Sequence, residues 1–69
     1  MPVLERHILA EGQPLILQQC GPGRRKSFSV YTVGHGVLDP PDYHYEGYDK
    51  DKAYDALADV LQADVLEEF

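Results

Sequence analysis

At 69 residues the chain has room for one domain with a thin core, since a chain of this size buries only about 60% of its unfolded surface. Its 43% hydrophobic and 26% charged residues are ordinary globular proportions and argue against disorder or low complexity. Twelve acids against six bases give a formal charge of -6, a balance that repels nucleic acid and anionic membranes and attracts a basic protein surface.

Three strands are predicted before residue 34, separated by turn chemistry. The first, Val3 to Ala10, carries apolar residues on both alternation sets, with Val3 and Leu9 on one and Leu4 and Ile8 on the other, so the pattern does not say which face is inward. Glu11-Gly12 then supplies a glycine for positive φ, the mark of a tight hairpin connection. Pro14 suits a strand start because it has no N–H for the ladder, and Leu15-Ile16-Leu17 passing into Gln18-Gln19-Cys20 describes a second strand that begins buried and ends near water. Gly21-Pro22-Gly23 marks a turn. From Ser27 to Val33, Phe28, Val30 and Thr32 alternate with Ser29, Tyr31 and Val33, and all but the serines favour extended backbone.

The stretch from Gly34 to Asp42, with Pro40-Pro41, reads as a loop. Asp42 to Glu46 alternates aromatic and polar residues, which suits a short fourth strand or an ordered aromatic loop. Asp49 is a good N-cap, and Lys50 onward lacks Gly and Pro through Phe69, so a helix is expected to start there. Ala53, Leu57, Val60 and Leu61 fall within one sector of about 100°, and Asp51, Asp55 and Asp59 cluster opposite. Asp64 falls in the apolar sector, which argues for a break near Gln62 or Ala63 and a second start with Asp64 and Glu67 as a capping box. The expected fold is therefore α+β: a three- to four-stranded antiparallel sheet in chain order, packed on one C-terminal amphipathic helix, with residues 1–69 as a single domain.

The row Asp51, Asp55, Asp59 is the most informative feature. Like charges at i, i+4 and i+8 oppose the helix by a few tenths of a kcal/mol per pair, so helix stability alone does not select them. The helix dipole accounts for Asp51 in the first turn but not for Asp59. An acidic strip docking on a basic surface explains the row; an ordinary solvated face is the competing explanation. Tyr43 and Tyr45 join it as interface candidates, since tyrosine offers large contact area at low entropy cost. Tyr31 and Tyr48 are expected instead to cover the thin core. Arg24-Arg25-Lys26 after the glycine turn is a weak anion site, without P-loop spacing or a following helix.

No catalytic site, cofactor or metal is expected. His7, His35 and His44 lack the short spacings of metal sites, and no nucleophile signature surrounds Cys20, Ser27 or Ser29. The single cysteine excludes an intrachain disulfide and points to a reducing cytoplasm. The start, with charges at Glu5 and Arg6, holds no apolar run of signal-peptide or membrane-span length. The function these features support is a non-enzymatic interaction module, in one version an inhibitor that imitates nucleic acid on a partner's basic surface. The alternative is a nucleic-acid-binding module using the sheet and the Arg24-Arg25-Lys26 tip, and a third reading is a homodimer.

Overall fold

The computed structural model describes residues 2–21, 24–34, 36 and 38–67, the last by its backbone only. Among these residues four strands, β1 (Val3–Ile8), β2 (Pro14–Cys20), β3 (Ser27–Thr32) and β4 (Asp42–Gly47), precede one helix, α1 (Lys50–Glu67). The strands form an antiparallel meander in the order β1-β2-β3-β4, as expected for an α+β chain with short connections, and α1 lies across β2, β3 and β4 on one face. Pro22, Gly23 and His35, which belong to the expected turn, loop and histidine set, lie outside the described residues, as do Met1, Val37, Glu68 and Phe69.

Alternation along the two central strands decides where the core sits. Leu15 and Leu17 of β2 stand opposite Thr32 and Val30 of β3, and with Phe28 they meet Ala53 and Leu57 of the helix. Leu15, Leu17, Val30 and Ala53 are completely buried. Tyr45, Tyr54, Val60 and Leu61 close the margins of this single layer.

The connection from β1 to β2 turns on Gly12, whose φ of 91° is the left-handed conformation that glycine adopts without a Cβ clash. Leu9 N–H donates to Gln13 O (2.9 Å) and Gly12 N–H to Leu9 O (2.8 Å), which leaves the N–H of Ala10 pointing out of the turn.

A β-bulge at Leu4 resolves the ambiguity of the first strand. Val3 pairs with Gln18 and Glu5 with Leu17, so Leu4 is the extra residue and the alternation changes phase there. Leu4 and Leu9, of opposite parity, therefore both pack on the core, whereas Val3 and Ile8 both point away from it.

Three expectations need correction. The helix does not break near Gln62 or Ala63, and Asp64 does not start a second one: α1 runs unbroken to Glu67. Asp64 stays on the inward side because its carboxylate accepts the free Ala10 N–H through both oxygens (3.0 and 3.2 Å), a partner 54 residues away that periodicity does not reveal. Tyr31 and Tyr48 do not cover the core. Tyr31 lies on the opposite face of the sheet with its hydroxyl on Gln18 Oε1 (2.9 Å), and Tyr48 is 73% exposed; Tyr45 and Tyr54 take the expected role.

Candidate functional site

Asp49 opens the helix as its sequence position implies. Its Oδ1 accepts from the N–H groups of Asp51 (3.0 Å) and Lys52 (3.2 Å), and its own N–H donates to Tyr45 Oη (3.2 Å). This cap fixes the phase of α1 on the sheet. Ala53 and Leu57 then point inward, and Asp51, Asp55 and Asp59 are all exposed on the outer side.

A rise of 1.5 Å per residue spaces the three carboxylate-bearing positions about 6 Å apart along the axis, over a length of about 12 Å. Among the described residues no ion pair involves any of the three. The strip is thus a row of solvated negative charge in which every member is available to a cationic partner.

The two tyrosines do not share its surface. Val30 pairs with Tyr45 and Tyr31 with Tyr43, so His44 is an extra residue and a second bulge separates the tyrosines onto opposite faces. Tyr45 turns under the N-terminus of α1 and packs on the core, with its hydroxyl against Gly47, where an added Cβ would approach to 2.6 Å. Tyr43 points the other way, 53% exposed, its ring 5.4 Å from that of Tyr31.

Arg24, Arg25 and Lys26 are exposed between β2 and β3, at the end of the sheet where α1 begins. Lys50 and Lys52, in the first helical turn, lie at that same end. At the opposite end, a groove of ≈ 720 Å³ between the β1–β2 turn, the start of β4 and the last turns of α1 is lined by Glu11, Asp39, Asp42, Asp64 and His44 among others. The sequence reading missed this concentration of acids, because its members come from two loops, a strand and a helix and share no spacing. His44 is engaged with Thr32 Oγ1 (2.6 Å), and Asp64 holds the turn.

Cys20 is half-buried at the end of β2, with its carbonyl accepting from the Ser27 hydroxyl (3.3 Å). Among the described residues no group of three or more His, Cys, Asp or Glu is arranged to hold a metal ion, and no helix is long and apolar enough to cross a membrane. Comparison with known protein families, curated proteins and solved structures gives no match.

Proposed function

We propose that the chain is a non-enzymatic interaction module whose outer helix face, through Asp51, Asp55 and Asp59, docks on a basic surface of another protein in the cytoplasm. The supporting observation is that all three aspartates are exposed on one rigid face, held there by a core on the other side and engaged in no ion pair among the described residues. Charge arranged in this way steers association and raises the on-rate for a partner of opposite sign.

One version of the reading is an inhibitor that occupies a nucleic-acid-binding surface. The strip carries about one charge per 6 Å, whereas a single strand of duplex DNA carries one per ~3.4 Å of axis, so the strip alone is a sparse imitation. Asp49 at the N-cap adds one more carboxylate beside Asp51. The alternative, nucleic-acid binding by the sheet and the Arg24-Arg25-Lys26 tip, draws support from the exposed tip cations and the Tyr31–Tyr43 pair, which offers rings for base stacking. The total charge of -6 weighs against it.

The test compares what immobilised wild type and the double variant Asp55→Lys, Asp59→Lys capture from the native cell. The expected result is a basic protein retained by wild type, released by moderate salt and lost from the variant; if that protein binds nucleic acid, free wild type displaces the nucleic acid. An identical set of proteins on both columns would remove the strip from the account.

A further inference from the structure

The sheet has a second face, and among the described residues no helix or further strand packs on it. Residues that alternate with the core positions point there: Ile16 and Gln18 from β2, Ser29 and Tyr31 from β3. The bulges add Val3, Arg6 and Ile8 from β1 and Tyr43 and Glu46 from β4. Val3, Ile8 and Tyr43 are 51%, 58% and 53% exposed. The Tyr31–Tyr43 ring contact and the Tyr31 hydrogen bond to Gln18 confirm that these side chains lie on one side and hold each other in place.

The pairing orders this face into rows across the strands. Arg6, Ile16, Tyr31 and Tyr43 form one row. Gln18, Ser29 and Glu46 form the next, with Val3 beside Gln18. The two charges on these rows are thus a cation on one outer strand and an anion on the other. The face is otherwise apolar or neutral, on a chain whose helix side is strongly acidic.

We infer that this face is the contact surface of a homodimer, in which a second copy packs sheet to sheet about a two-fold axis parallel to the strands. Such an axis lays β1 of each copy over β4 of the other. Arg6 then meets the ring of Tyr43 and, one row along the strand or about 7 Å away, the carboxylate of Glu46, and the same pair forms twice by symmetry. A two-fold axis lying across the strands instead stacks β1 on β1 and brings the two Arg6 side chains together, so the charges select the first arrangement. The acidic helices end on the two outer surfaces of the dimer, far apart, which minimises repulsion between two chains of charge -6.

Four strands at about 4.8 Å and six residues at about 3.3 Å make a face of roughly 20 by 20 Å, so the pair buries on the order of 1,000 Å². This lies at the low end for a specific interface, and the dimer exchanges with monomer. The inference is independent of the helix strip, which lies on the other layer.

Sedimentation equilibrium from micromolar to millimolar concentration tests it. The wild-type mass is expected to rise from 7.8 kDa toward twice that value. Arg6→Glu and Glu46→Arg, both on exposed outer-strand positions, are each expected to weaken association about tenfold or more, and the double variant to restore it to within about threefold of wild type. Asp55→Lys is expected to leave the association constant within the same threefold range. A wild type that stays monomeric at millimolar concentration overturns the inference, as does a dimer that both single reversals leave unchanged. Binding of an oligothymidylate by the monomer with quenching of tyrosine fluorescence, at an affinity that survives near-physiological salt, overturns it too and assigns the face to single-stranded nucleic acid.

Discussion

Asp64 sits half-buried near the end of α1 with both carboxylate oxygens on the N–H of Ala10, joining the last turns of the helix to the first turn of the sheet. A hydrogen bond to a charged acceptor contributes about 1.5–3 kcal/mol, reduced toward about 1 kcal/mol where, as here, the bond is exposed to water, against a few tenths gained from the better helix propensity of alanine. Asp64→Ala is therefore expected to destabilise the fold by about 1 kcal/mol, a fall in Tm of roughly 4–8 °C for a domain of this size. Asp64→Asn, which keeps an acceptor, is expected to lose less than half of that. Thermal unfolding followed by circular dichroism measures both. Equal losses for the two substitutions would mean that the carboxamide oxygen cannot take over the bond, and a stabilised Asp64→Ala would mean that the contact contributes nothing.

At the scale of elements, α1 joins two opposed demands on one segment. Its inner side, from Ala53 to Leu61, holds the domain together, and its outer side repels itself at i, i+4 and i+8. Asp55→Lys converts two repulsive spacings into two attractive ones, each contributing about 0.2–0.5 kcal/mol in isolated helices. The substitution is expected to raise the denaturation midpoint slightly while weakening binding to a basic partner. If it raised neither the midpoint nor lowered the binding, the strip would have no energetic signature at all.

The elements themselves were largely legible because local signals agreed. Gly12 marked the first hairpin, Asp49 marked the helix start, and the spacing of Ala53, Leu57, Val60 and Leu61 identified the packed side. Two things were not legible. One was the pair of bulges: an extra residue at Leu4 and another at His44 reverse the alternation midway, so Leu4 joins Leu9 on the core and Tyr43 parts from Tyr45. Period-two reasoning assumes an unbroken phase, and nothing in the residue types at 4 or 44 announces the insertion. The other was the long-range partner of Asp64, which made a bonded acid look like a helix stop. Of the candidate site, the three aspartates were readable from helical spacing alone; the separation of the tyrosines from them was not.

On the scale of the whole molecule, the sheet divides the chain into two surfaces of different character. One side carries the helix with its row of solvated carboxylates; the other is a nearly neutral face with a cation and an anion on its outer strands. The ends also differ, with Arg24, Arg25 and Lys26 where α1 begins and the acid-lined groove where it finishes. The proposed basic partner is expected to approach the helix side and avoid the tip, and its binding to weaken steeply as salt shortens the screening length from about 10 Å at 0.1 M to about 3 Å at 1 M. Binding insensitive to salt over that range, measured by calorimetry, would show that apolar contact and not the strip carries the complex.

The most direct measurement is a titration of the isotopically labelled chain with the basic partner, followed in its amide proton–nitrogen spectrum. The largest shifts are expected on α1 around Asp51, Asp55 and Asp59, with Ile16, Tyr31 and Tyr43 unmoved. Shifts concentrated on those sheet residues while the helix amides stay in place would contradict it.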